Sequence, residues 1–161
     1  MSRTGVFSVA DTSAYLEAER WIRERGLPRK YPGHSFSEQR LRIGKLNDGG
    51  PEFFRFDAVS ADKSIIASVK ASSGLTSGGK LPTAKTKDAY TDILFLSMAK
   101  GGRRLLVLTD PDFFRIFQRV SEGRIPRGVE LLHIPLPRPI QRHVDAARRV
   151  ASRETSPRHA G

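Results

Sequence analysis

The sequence predicts an α/β domain, a mixed β-sheet flanked by helices in the order α-β-β-β-α-β-α-β. Three observations carry that expectation. Three segments with strand character follow one another between residues 40 and 72. Leu105-Leu106-Val107-Leu108 is a continuous apolar run, the pattern of a strand covered on both faces. Helical patterns stand on either side of that run and a last apolar segment follows, so a parallel βαβ unit completes the sheet. At 161 residues one core is expected, in a domain spanning 11–139 between a flexible lead-in, 1–10, and a basic, partly disordered tail, 140–161.

The first helix is expected from Asp11, a suitable N-cap, to about Arg25, with Ala14, Ala18, Trp21 and Ile22 at helical spacing and Gly26 and Pro28 as its stop. Leu27 to Phe36 reads as a basic loop. Arg40 to Leu46 alternates basic or small with apolar, the period of a half-buried strand. Asn47-Asp48-Gly49-Gly50-Pro51 is a turn cluster, and Phe53 to Ser60 and Ser64 to Ser72 form a hairpin. Residues 73–85 read as a positively charged loop. A helix from about Thr86 to Lys100 stops at Gly101-Gly102. Asp110-Pro111 then gives an N-cap with proline at the first helical position, starting a helix that runs to about Ser121. Val129 to Ile134 is the last strand, closed by Pro135, Pro137 and Pro139, and a short basic helix follows through Val150.

Charge narrows the function classes. Lys and Arg total 28 against 17 Asp and Glu, a net charge of +11 and a pI near 10.7. Such a surplus attracts polyanions, and nucleic acid, DNA above all, is the expected partner. The absence of cysteine excludes disulfides, thiolate zinc sites and cysteine nucleophiles. The first residues lead into no apolar signal segment, and the longest apolar run is too short to span a bilayer, so a cytoplasmic protein is expected. His34, His133 and His143 lack metal-ligand spacing. Gly74 to Lys80 lacks the ending of a phosphate-binding loop.

The stretch from Phe56 to Lys70 carries the candidate chemistry. In the third strand Ser64, Ile66, Ser68 and Lys70 share one face, while Ile65, Ala67, Val69 and Ala71 share the apolar one. A two-residue turn at Asp62-Lys63 sets Asp57 opposite Ser68, about 5 Å apart at Cβ. An odd-numbered loop would instead bury Asp57 unpaired, which is costly. A carboxylate, a hydroxyl and an ammonium therefore converge on one patch of sheet. The same residue types also make ordinary cross-strand ion pairs.

The element order and the Asp57…Ser68-Val69-Lys70 pairing resemble the PD-(D/E)xK superfamily, the restriction-endonuclease-like nucleases, over roughly residues 11–136. That resemblance implies a metal-dependent endonuclease hydrolysing DNA phosphodiesters. Asp57 would bind Mg²⁺ or Mn²⁺, Lys70 would orient and activate water, and Ser68 would line the site where the family carries a second acid. Phe56 stands in place of the family's proline. Asp88, ahead of Asp92 on the following helix, is the expected replacement acid, and Glu17 on the first helix is a further metal ligand by analogy. Lys80, Lys85 and Lys87, with a second basic rim at Arg23, Arg25, Arg29 and Lys30, are the expected nucleic-acid contacts. A homodimer is the expected assembly for cutting both strands. Two alternatives stand beside this reading: an inactive nucleic-acid-binding module of the same fold, and a basic assembly subunit meeting an acidic protein.

Overall fold

A computed structural model describes residues 4–45, 47–71 and 74–155, with side-chain surroundings described from residue 12 to residue 151 of these. The elements are α1 (Thr4–Trp21), a π-helical turn (Ile22–Gly26), α2 (Leu27–Lys30), β1 (Phe36–Lys45), β2 (Pro51–Ser60), β3 (Ile65–Lys70), α3 (Thr83–Met98), β4 (Arg103–Leu108), α4 (Pro111–Val120), β5 (Val129–His133) and α5 (Arg138–Thr155). The chain is α/β, with one five-stranded mixed sheet in the order β1-β2-β3-β4-β5. The β1–β2 and β2–β3 pairs are antiparallel, and the β3–β4 and β4–β5 pairs parallel.

Helices cover the sheet on both faces. On one side Ala18 and Ile22 of the first helical segment and Val144 of α5 pack on Ala58, Ala67, Val69, Leu105 and Val107. On the other, Ala89, Ile93 and Leu96 of α3 and Phe113 and Phe117 of α4 pack on Phe56, Val59, Ile66, Leu106 and Leu108. The apolar run of β4 is therefore buried on both faces, as its composition requires.

Several boundaries differ from the sequence expectation. The helical path begins at Thr4, so Asp11 lies inside α1 rather than at its cap, and the lead-in is shorter than residues 1–10. Gly26 and Pro28 do not end it. Pro28 falls in the first turn of α2, where its missing N–H is no loss. Gly26 is needed for proximity: a Cβ there would lie 3.1 Å from both Ile134 and Trp21. The segment after 139 is not an appendage, because α5 packs along α1 with Val144 fully buried and Ala147 nearly so. Residues 156–161 of the expected tail lie outside the described residues.

Local chemistry explains the ends that matter. Asp110 caps α4 by accepting from the Phe113 N–H at 2.8 Å. Arg104 closes the C-terminus of α3, its guanidinium donating to the Ser97 and Ala99 carbonyls at 2.9 and 3.2 Å. The β2–β3 connection spans four residues, 61–64. The Asp62 carboxylate accepts from the Ser60 hydroxyl and from both the N–H and the hydroxyl of Ser64, which holds its pKa well below the usual carboxylate range. Four is still even, so Ala58 pairs with Ala67 and Val59 with Ile66, the register of the tighter turn.

Candidate active site

The β2–β3 ladder stops at Ala58 and Ala67, and Asp57 begins where the two strands part. There its Oδ2 accepts from the backbone N–H of Val69 at 2.7 Å, so a side chain takes over a bond that a neighbouring strand would otherwise make. On its other edge β2 carries a bulge. Gln39 pairs with Phe56 and Ser37 with Val59, so Asp57 and Ala58 together oppose Glu38. The bulge lets Phe56 and Val59 both face α3 while Ala58 faces α1. It re-aims the backbone at the one acidic residue of β2's inner half.

Lys70, the last residue of β3, pairs with Asp92 of α3 at 2.7 Å, and both side chains are mostly buried, at 22% and 14% exposure. From the other face of the sheet come Glu19 and Arg23. Arg23, in the π turn, donates to the Asp57 carbonyl at 3.0 Å. π turns recur at functional sites, and here the extra residue falls where Arg23 meets the β2 backbone. Glu19, one turn earlier, shares an open cleft of about 730 Å³ with Glu17, Leu16, Arg20, Arg23 and Glu38, among others.

These carboxylates are under electrostatic stress. Burial pushes Asp57 up from its ordinary range; the Val69 N–H opposes this, Asp92 and Glu38 add to it, and Lys70 lowers it. Burial likewise raises Asp92, against the pull of Lys70. Glu19 is pushed up to about 7, first by burial and then by Asp57, with Glu38 adding and Arg23 and Lys70 opposing. The group is a partly buried set of acids answered by one lysine and one arginine; Glu19 opens on the cleft, and a perturbed carboxylate so placed marks a candidate site.

The structure brings some of the sequence-selected residues together and separates others. Asp57, Ser68 and Lys70 lie on adjacent strands at the point where the ladder ends. Ser68 is only 2% exposed, so it is buried in the sheet rather than lining an open site. The reason is that α3 covers the face the sequence left open. Asp88 is exposed and lies four residues, about 6 Å along the helix, before Asp92; it is Asp92 that meets Lys70. The helix phase, set by Ala89, Ile93 and Leu96, places Asp92 toward β3. Glu17 turns toward α5 and pairs with His143 at 3.0 Å, leaving Glu19 as the α1 acid that feels Asp57. Ala18 is the centre of the buried stripe, and Glu17 and Glu19 flank it on opposite sides; the sequence carries no sign of which flank faces β2.

The expected basic contacts divide. Arg29 and Lys30 lie on α2, where Arg29 sits over Trp21, 5.9 Å from its ring centre. Lys80 precedes α3, and Lys85 and Lys87 lie in its first turns on the opposite face of the sheet. They do not form one patch. Among the described residues no group of three or more Asp, Glu, His or Cys is gathered to hold a metal ion, so neither Asp88 nor Glu17 joins Asp57 in a ready ligand set. No described helix is long and apolar enough to cross a membrane. No family model matches the chain, and neither does any curated protein or solved structure.

Proposed function

We propose that the chain is a metal-dependent nuclease of the PD-(D/E)xK type, restriction-endonuclease-like in its sheet, that hydrolyses DNA phosphodiesters. The observation that carries this reading is the placement of Asp57 at the parting of β2 and β3, tied to Val69, with the Lys70–Asp92 pair and Glu19 around it. The antiparallel β1–β2–β3 run, followed by a helix and a parallel β4, supports the same reading.

The donor chemistry suits a hard divalent cation such as Mg²⁺ or Mn²⁺, which prefers carboxylate oxygens and would offset the burial that raises Asp57 and Asp92. Asp57 and Asp92 are the acids that would hold it, and among the described residues no third acid is already gathered with them. When bound, the cation supplies charge neutralisation at the phosphodiester and a more acidic water. Lys70 then serves as the ammonium donor that orients the attacking water or a phosphate oxygen, and Asp92 fixes its position. Arg23, held to the β2 backbone beside Asp57, adds positive charge at the mouth for a phosphate.

A second reading has its own observation. The short Lys70–Asp92 pair and the buried Ser68 leave Asp57 without a gathered set of ligands, as in a nucleic-acid-binding module that has lost cleavage. Supercoiled plasmid with Mg²⁺ or Mn²⁺ separates the two. Nicking is expected from the protein, with a loss of at least roughly 100-fold in Asp57→Asn, a nearly isosteric change, and in Lys70→Ala. Circular dichroism checks that both variants fold. Plasmid retarded but never cut, with either metal, overturns the nuclease in favour of the binding module.

A further inference from the structure

The two outer strands carry a second feature, away from the acids. β1 and β2 alternate strictly over their outer halves. Leu41 and Phe54 face α3, where Phe54 stacks on Phe95 with ring centres 4.3 Å apart. The opposite face presents Arg40, Arg42, Phe53 and Arg55 to solvent. Arg40 is paired directly with Arg55, and Arg42 with Phe53. Like charges opposite each other on a sheet are destabilising, as is an aromatic ring left 47% exposed. Arg40 lies over that ring, 5.6 Å from its centre. Arg55 alone is answered, by Glu38 at 3.3 Å; neither Arg40 nor Arg42 has a carboxylate partner among the described residues.

This face is continuous with the cleft. Glu38 belongs both to the arginine face, through Arg55, and to the cleft wall, with Glu19 and Arg23. Arg55 precedes Asp57 by two residues, roughly 7 Å along the strand. A chain of phosphates laid across the hairpin would run toward Glu38, Glu19 and Arg23, beside Asp57.

We propose that this face receives a single-stranded segment of nucleic acid, with Arg40, Arg42 and Arg55 taking successive phosphates and Phe53 stacking an unpaired base. Arginines supply the sequence-independent electrostatic attraction, and an exposed ring among them supplies the stacking platform that single-strand binders use and a paired duplex does not engage. A protein of +11 net charge gives the surface a polyanion as its natural complement. The inference rests on the nucleic-acid reading above and adds the substrate form, an unpaired or frayed strand, and the residues that hold it.

The test is fluorescence anisotropy in EDTA, so that binding is read without cleavage, using labelled oligo(dT) and a blunt duplex of equal length. Oligo(dT) is expected to bind more tightly than the duplex. Arg40→Gln/Arg42→Gln is expected to weaken oligo(dT) binding at least roughly tenfold and to lower the slope of log affinity against log salt by about 1.4, the contribution of two phosphates on a single strand. Phe53→Ala is expected to cost about tenfold on oligo(dT), with the slope unchanged. Arg119→Gln/Arg124→Gln makes the same charge change beyond β4, and is expected to stay within about threefold. Equal losses from both arginine pairs, or unchanged oligo(dT) binding in Phe53→Ala, overturn the inference. A preference for the blunt duplex does so too. Failure of cleavage alone, with these affinities as stated, counts against the nuclease and leaves this surface standing.

Discussion

β3 and β4 at the centre of the sheet and the outer halves of β1 and β2 are built from the same kind of pairing and live in different surroundings. Helices cover β3 and β4 on both faces, so Ile66, Ala67 and Leu105 to Leu108 are fully buried. The outer hairpin is covered on one face only, by α3, and its other face carries three arginines and a phenylalanine. Charge follows the cover. At the end of β3 the one lysine is matched at 2.7 Å by an aspartate, because an unanswered ammonium there would be costly. On the hairpin two arginines sit directly opposite each other, which water tolerates and a core would not. The difference teaches that the acids lie on a boundary, with Glu19 and Glu38 on an open cleft beside the hairpin and Asp92 held by packing between α3 and β3.

Substitutions in the two regions bear on that comparison. Leu106→Ala at the doubly covered centre is expected to lower stability by about 3 kcal/mol in urea unfolding, against about 1 kcal/mol for Leu41→Ala on the half-covered hairpin. Equal effects would mean that the hairpin belongs to the core. Lys70→Met should cost about 3 kcal/mol by stranding the Asp92 carboxylate, and Lys70→Met/Asp92→Leu should recover to within about 1 kcal/mol of the parent. Arg55→Ala, which breaks the exposed pair with Glu38, is expected to change stability by less than about 0.5 kcal/mol. A neutral Lys70→Met would put the two ion pairs in the same class.

The smallest effect is a slope. Glu19 has an ordinary pKa of 4.5 and is raised to about 7 in the fold. Between those values the unfolded chain has given up this proton while the folded chain keeps it. Stability contributed through Glu19 is therefore full below about pH 4.5, falls as pH rises to about 7, and is level above. Asp57 and Asp92 are raised as well and tilt the profile in the same sense. Glu19→Gln should flatten the fall between pH 4.5 and 7 and stabilise the protein at pH 8, as read from urea midpoints. An unchanged profile would place Glu19 in bulk solvent, away from Asp57.

Much of the scaffold was legible because it rests on local signals. Asp110-Pro111 is a local helix start, with Asp110 capping and proline at the first helical position, and an unbroken apolar run such as Leu105 to Leu108 needs cover on both sides. The even loop before β3 likewise fixed the parity of Asp57 and Ser68, although the turn is four residues long rather than two. Asp92 and Arg23 were in view only as the second-choice acid and a rim arginine, and Glu19 was not legible. Rotation of α1 about its axis selects Glu19 over Glu17, whereas position along α3 selects Asp92 over Asp88, four residues earlier on the same face.

The sequence by itself determined the order of the main strands and helices, the excess of positive charge, and the pairing parity of the central hairpin, since all three follow from short-range periodicity and composition. Tertiary structure alone decided which acids share the space around Asp57. It also decided that Ser68 is buried under α3, and that the bulge opposite Glu38 turns β2 at that point. The physical reason is that helix phase and sheet cover are fixed by packing between elements far apart in the chain, and no local pattern encodes them.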